Sequence, residues 1–235
     1  MKKLRLAVLI SGAGTTLQNL INHAQKGLLQ GEVVVVISSK PEAYGLKRAQ
    51  RQQIPAICVN HKRFSSPNSF SCAIYQALAP FRPQLIVLAG FLHLLRVPKQ
   101  WEGKIINIHP ALLPAFGGKG MYGLHVHKAV LEAGAKITGA TVHFVDEHYD
   151  TGPIIMQAPV FVRPDDTPQT LQNRVQEVER ALLPFVINLL AAGKVRKKGR
   201  RVRLLLPHST LIKEMASWFK AQQNYELRGV LVFPV

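Results

Sequence analysis

Acidic residues are scarce in this chain. Only 13 Asp and Glu stand against 30 Lys and Arg in 235 residues, a formal net charge of +17. That imbalance excludes an acidic, solvating polypeptide and points to anionic ligands, phosphate or nucleic acid, without choosing between them. Cysteine is nearly absent: Cys58 and Cys72 make no CxxC and no framework of pairs. A disulfide-stapled fold is therefore excluded, and a reducing, cytoplasmic compartment is expected. No apolar run reaches the roughly 18 residues that span a bilayer, so no membrane partner is expected. "MKKLRLAVLISG" opens like a signal peptide, but its apolar run is short and reads better as a first buried strand. Aromatic residues make up 7% of the chain, and none interrupts the basic run "KVRKKGRR" (194–201). Without aromatics to stack on bases, that run reads as a solvated tail, and nucleic acid is not expected as a partner.

What is present is globular, with 47% hydrophobic and 18% charged residues. "LRLAVLI" (4–10), "EVVVVISS" (32–39), "IPAICVN" and "QLIVLAG" (84–90) are apolar runs of the kind that form parallel strands covered on both faces. Helical patterns alternate with them, which predicts an α/β fold: a Rossmann-like, doubly wound, mainly parallel sheet. After "KIINI" two β segments follow in series, "ITGATVHFVD" and "PIIMQAPVFV", joined by "EHYDTG". They predict antiparallel additions at one edge. A long amphipathic helix over about 167–192 closes a domain of residues 1–195. A basic extension, 196–235, follows; "VRLLLPHSTLIKEMASWFKAQQNYELRGVLVFPV" reads as strand, helix and strand with no function assigned.

Between the first strand and first helix lies "SGAGTTL" (11–17), where free N–H groups and the helix dipole favour an anion. A dinucleotide fingerprint fails, because Leu17 replaces its third glycine and the second strand ends in Ser38-Ser39-Lys40 without a carboxylate. A Walker loop fails as well, since no GK[ST] follows. The turn suits a monophosphate, with Gly12 and Gly14 allowing close backbone approach and Thr15 and Thr16 adding hydroxyl donors.

"KIINIHPALLP" (104–114) ends a buried strand with Asn107 and His109. Residues i and i+2 of a strand share a face, so the two project together at its C-terminal end. An amide and an imidazole donor there could polarise a carbonyl and hold the oxyanion formed when it is attacked. The imidazole then needs a carboxylate to keep it protonated. "DEHYDTGP" (146–153) offers Asp146, Glu147 and Asp150. A metal hydrolase built on His125, His127, His143 and His148 is a rival, but HxH at a helix entry would splay its side chains, and no metal is expected.

Together, "SGAGTTL", "NIHPALLP" and "HFVDEHYDTGPII", in that order and spacing, resemble the phosphoribosylglycinamide formyltransferase family over about residues 4–192. The resemblance implies transfer of a formyl group from 10-formyltetrahydrofolate to the amine of glycinamide ribonucleotide in purine synthesis. It makes Asn107, His109 and Asp150 catalytic, Asp150 being the carboxylate that matches and the one that raises the pKa of His109. It assigns Gly12, Gly14, Thr15, Thr16, Gln176 and Glu179 to the ribonucleotide. Leu92, His93, Leu94 and Leu95 with Asn107, Asp146, Glu147 and Asp150 fall to the folate, Leu92 and Leu95 as walls for the pterin ring. Pro67 stands where the family usually carries a phosphate-binding arginine, with Lys62 and Arg63 as nearby substitutes. His93 replaces another arginine, and "GGKGMYG" (117–123) is a longer, lid-like insert. A methionyl-tRNA formyltransferase would share the chemistry, but the C-terminal part is too short for its extra barrel. A formyltetrahydrofolate hydrolase would carry a domain ahead of the first strand. A basic nucleic-acid-binding protein would leave Asn107, His109 and Asp150 unexplained.

Overall fold

The computed structural model describes residues 3–221. Among them the backbone gathers into two compact units. The first runs through Asn107 and takes in Val145–His148; the second comprises Ile108–Phe144 and the chain from Tyr149 onward.

The first unit alternates strand and helix: β1 (Leu4–Ile10), α1 (Thr15–Gln25), β2 (Gly31–Ser38), α2 (Tyr44–Arg51), β3 (Ala56–Cys58), α3 (Pro67–Leu78), β4 (Leu85–Leu88) and the start of β5 (Ile105–His109). Parallel registers join them, with Val8 beside Val36 and Val87, and Leu88 beside Asn107. The continuous apolar runs are explained by burial on both faces: Val35, Val36, Ile37, Ile86 and Val87 are fully buried. Each such side chain contributes roughly 1.5–3 kcal/mol of hydrophobic stabilisation. Phe70, Ile74 and Leu78 of α3 complete this core with Phe91 and Leu95.

The second unit takes the end of β5, then α4 (Leu124–Glu132), β6 (Ile137–Phe144), β7 (Ile154–Phe161), α5 (Pro168–Ala191), β8 (Val195–Lys198), β9 (Arg201–Leu204) and α6 (His208–Ala221). The strand order of the main sheet is β3-β2-β1-β4-β5-β6-β7, with the β6–β7 pair antiparallel, as the two serial β segments predict. α5 starts at a capping box, Thr167 and Thr170 each accepting from the other's backbone N–H, with Pro168 at the first helical position.

Residues 194–201 are not the solvated tail that their charge suggests. They open a hairpin, β8 paired with β9. Beneath the charge lies a period of two, with half-buried Val195, Lys197, Val202 and Leu204 alternating with exposed cations. Gly199, at φ 59°, fills the first position of the two-residue turn, where a II′ hairpin requires φ above zero. α6, the predicted helix, docks on α5: Trp218 Nε1 donates to the Ala181 carbonyl at 2.9 Å, and Met215 and Phe219 are buried. The last predicted strand lies outside the described residues. No helix among those described is long and apolar enough to cross a membrane.

Candidate active site

In the first unit, three loops at the ends of parallel strands are tied together through Ser11. Its N–H donates to the Gly90 carbonyl at 3.1 Å, its Oγ lies 2.7 Å from Ser39 Oγ, and that same Oγ accepts from Leu92 N at 3.0 Å. Gly14 adopts φ 70° at the N-cap of α1, and no side chain caps the helix, so the first-turn N–H groups face out without a side-chain acceptor. A Cβ on Gly14 would stand 2.6 Å from the Gly45 Cα, and Gly45 N donates to the Gly12 carbonyl at 3.1 Å. The turn is thus shaped by backbone against backbone. A cation that no motif in the sequence points to braces it: Arg48 Nε donates to the Ala13 carbonyl at 2.9 Å, and its Nη1 to Gln18 Oε1 at 3.3 Å.

Of the two residues expected to wall a pterin, Leu92 is half-buried, while Leu95 is 1% exposed and packs in the core. Leu94, assigned with them to the folate, is half-buried. The N–H of Leu92 is already held by Ser11. His93 stacks on His61 with ring centroids 3.9 Å apart and meets Phe70 and Phe91 edge-on. Burial, then His61 and Lys40, push its pKa down to about 4, so it is neutral at physiological pH. Glu147 is held elsewhere: it pairs with Arg96 at 3.0 Å and accepts from Val97 N at 3.1 Å. Asp146 caps its own loop, accepting from His148 N at 3.2 Å.

The second unit holds the expected acid–imidazole pair. His109, 3% exposed, places Nδ1 at 3.4 Å from Asp150 Oδ2. Its Nε2 lies 2.8 Å from the Phe116 carbonyl, so both ring nitrogens face acceptors. Asp150 has φ 56°, as the turn before Thr151-Gly152 demands, and also accepts from Gly118 N at 2.9 Å. Its other oxygen, Oδ1, faces His143 Nε2 at 3.6 Å. His143, a metal-ligand candidate by sequence, is instead a second imidazole on the same carboxylate, 2% exposed, with Nδ1 at 2.8 Å from the Phe144 carbonyl. Burial pushes the Asp150 carboxyl up, but the hydrogen bond from His143, the charge of His109 and the Gly118 N–H outweigh it, and the pKa falls below the usual value.

Burial is the largest influence on His109 and lowers its pKa; Asp150 and the Phe116 carbonyl raise it, as expected of the carboxylate, but the net direction is down. A charge on a nearly inaccessible ring loses more solvation than one carboxylate restores.

The loop after β5 is fixed by Thr141, whose Oγ1 donates to the Ala111 carbonyl at 2.7 Å and accepts from Leu113 N at 3.1 Å. Gln157 Nε2 joins both, at 2.9 Å to the Leu113 carbonyl and 3.0 Å to Thr141 Oγ1. Gln176 and Glu179, one turn apart on α5, are half-buried, and burial raises the Glu179 pKa to about 7 against the lowering effect of Arg180. His125 is exposed while His127 is 1% exposed, so the pair diverges as expected for a helix entry. Among the described residues no group of three or more His, Cys, Asp or Glu is placed to hold a metal ion.

Residues 4–187 match the formyl transferase family. The phosphoribosylglycinamide formyltransferase of Haemophilus influenzae is 40% identical over 200 residues, covering 84% of this chain and 91% of the relative. The chain belongs to the phosphoribosylglycinamide formyltransferase family. The fold agrees: glycinamide ribonucleotide transformylase 1 from Symbiobacterium toebii superposes with a TM-score of 0.81 at 40% identity, over 87% of this chain and 95% of that one. The trifunctional purine biosynthetic protein adenosine-3 of Gallus gallus is 46% identical over 196 residues, 83% of this chain, which spans only 19% of that longer relative.

Two departures from the formyltransferase pattern now have a structural setting. Pro67 is the first residue of α3, behind a Ser66 N-cap that accepts from Ser69 N at 3.1 Å, where proline's fixed φ suits the helix start. Lys62 and Arg63, the expected substitutes, are exposed in a 3-10 turn, His61–Arg63. His93, being neutral, does not replace the charge of the family's other arginine.

Proposed function

We propose that this formyltransferase moves the formyl group of 10-formyltetrahydrofolate to the amine of glycinamide ribonucleotide, with residues 1–195 carrying the reaction. The observation that carries the reading is the pairing of buried His109 with Asp150 at the end of the Asn107-x-His109 strand. Attack of the amine nitrogen on the formyl carbon would leave negative charge on the formyl oxygen. Asn107 and His109 would donate hydrogen bonds to it, stabilising the tetrahedral intermediate more than the substrate. Asp150 would hold the positive charge on His109 and help pass the proton from the attacking amine to the leaving nitrogen of tetrahydrofolate. With His109 easily deprotonated, Asp150 is what keeps the charged ring accessible at neutral pH.

The ribonucleotide phosphate is assigned to the turn of Gly12, Gly14, Thr15 and Thr16, with Arg48 beside it supplying positive charge. Gln176 and Glu179 are assigned to the ribose and amine. Leu92, His93 and Leu94, with Asn107, Asp146, Glu147 and Asp150, are assigned to the folate.

The test is a formyl-transfer assay with 10-formyltetrahydrofolate and either glycinamide ribonucleotide or methionyl-tRNA. Transfer to the ribonucleotide alone is expected. Transfer to tRNA alone would keep the Asn–His–Asp chemistry and overturn the substrate assignment; transfer to neither, from folded protein, would overturn both.

A further inference from the structure

Seven of the ten residues 194–203 are Lys or Arg, and no Asp or Glu occurs between Gly193 and Lys213. The hairpin arranges this charge rather than merely carrying it. Its register sets Arg196 opposite Arg203 and Lys198 opposite Arg201. Cross-strand partners and i, i+2 neighbours share a face, so all four cations stand on one side, and all four are exposed. The spacing is about 5 Å across the ribbon and about 7 Å along it. Among the described residues none of the four makes an ion pair. The nearest downstream carboxylate, Glu214, is taken by Lys194 at 3.4 Å.

Like charges directly opposite each other in a sheet destabilise it. Here two such pairs lie side by side in a strand of four residues, and among the described residues no carboxylate pairs with them. The face is also anchored: Arg200, at the turn, donates to the Thr151 carbonyl at 2.7 Å, and β9 lies against β7. A rigid ribbon bearing a flat grid of three guanidinium groups and one ammonium suits repeated phosphates, because each guanidinium fork donates to two phosphate oxygens.

We infer that the Arg196–Lys198–Arg201–Arg203 face is a docking surface for the phosphate backbone of nucleic acid. The absence of aromatic residues in the run argues against base stacking, not against backbone contact, so binding is independent of sequence and governed by counterion release. None of the four is among the residues assigned to formyl transfer.

The experiment measures anisotropy of a fluorescein-labelled 20-base-pair DNA duplex against the full chain, over a salt series, beside an R196Q/K198Q/R201Q/R203Q variant. Wild type is expected to bind in the micromolar range at low salt. Its slope of log affinity against log salt should exceed the variant's by about 3–4, near 0.9 for each phosphate that the variant no longer neutralises. The variant should keep its formyl-transfer kcat/KM and its melting temperature, since only repulsion has been removed. If the quadruple variant unfolds, single Arg203→Gln and Lys198→Gln proteins should each lower the slope by about 1. Equal slopes in folded wild-type and variant proteins, or no binding of the duplex at 50 mM salt, would overturn the inference. So would capture of vesicles rich in anionic lipid without the duplex, which would assign the face to a membrane. A salt-sensitive kcat/KM that disappears in the variant, without duplex binding, would assign it to steering of anionic substrates.

Discussion

Asp150 stands between two imidazoles, its Oδ2 3.4 Å from His109 Nδ1 and its Oδ1 3.6 Å from His143 Nε2. One half-buried carboxylate therefore compensates charge on either ring, while a hydrogen bond from the Gly118 N–H fixes its orientation. Asp150→Asn keeps an oxygen for Gly118 but removes the charge. Turnover should fall by about 10²–10⁴-fold with the fold intact, read as kcat/KM beside circular dichroism. Near-normal turnover from folded protein would strip Asp150 of its role.

His143 holds the Asp150 carboxyl down more strongly than any other partner. In His143→Gln that carboxyl pKa should rise, so the acid limb of the kcat/KM profile should move to higher pH. The alkaline plateau should fall by less than about tenfold, because His109 and Asn107 remain. A plateau loss as deep as that of Asp150→Asn, with no movement of the acid limb, would make His143 a direct participant.

Gly117 sits where the insert passes the His109–Asp150 pair. A Cβ there would come within 2.6 Å of Leu113 Cδ2 and 3.1 Å of Asp150 Cβ. The leucine end can swing away, but Asp150 cannot move without leaving His109. Gly117→Ala should lower kcat by about tenfold to a hundredfold with a smaller effect on melting temperature, since misplacement by about 1 Å is costly to rate. Unchanged kcat would show that the loop absorbs the methyl group.

Three buried or half-buried histidines make the protein sensitive to acid. His93 and His127 have their pKa values lowered to about 4, His127 by burial and then by His109, and His109 is lowered as well. Between pH 6.5 and about 4 the unfolded chain binds protons that the folded chain refuses, so stability falls as pH falls. Asp150, depressed when folded, adds to the loss only below about pH 4, where its unfolded form takes up a proton. For His127, 1% exposed, the shift corresponds to about 3 kcal/mol. Urea unfolding at pH 7 and pH 4.5 should show a smaller loss for His127→Phe than for wild type; equal losses would place the acid sensitivity elsewhere.

How much of this was legible in the sequence depends on the length scale of each signal. The parallel strands were readable because "LRLAVLI" and "QLIVLAG" are buried on both faces, and the Asn107–His109 pair because a strand's period is two. His143 was not, since one histidine in a buried strand looks the same whether or not it faces a carboxylate. Glu147 stood beside Asp150 as a candidate in the sequence; in the structure Glu147 pairs with Arg96 and Asp150 with His109. The Phe116 carbonyl on His109 is a backbone group and leaves no trace in residue type. The direction of the His109 pKa depends on how much protein surrounds the ring, which no motif reports. The hairpin was hidden because uniform charge masked its alternation.

The meeting of Gly14 and Gly45 carries a consequence for how this chain can diverge. A side chain at position 14 would run into the backbone of its partner, and one at 45 would run into Ile10. Position 14 cannot vary alone, and no change at 45 relieves its clash, since 45 is already glycine; at 45 the nearest atom is the end of the Ile10 side chain, with the Gly14 Cα next at 3.2 Å. In a saturation library selected for purine prototrophy, position 14 should therefore retain glycine, and position 45 should accept only the smallest replacements. Any new ligand preference at this turn has to be reached through Ala13, Thr15 and Thr16, on a main-chain frame that evolution inherits and cannot redraw.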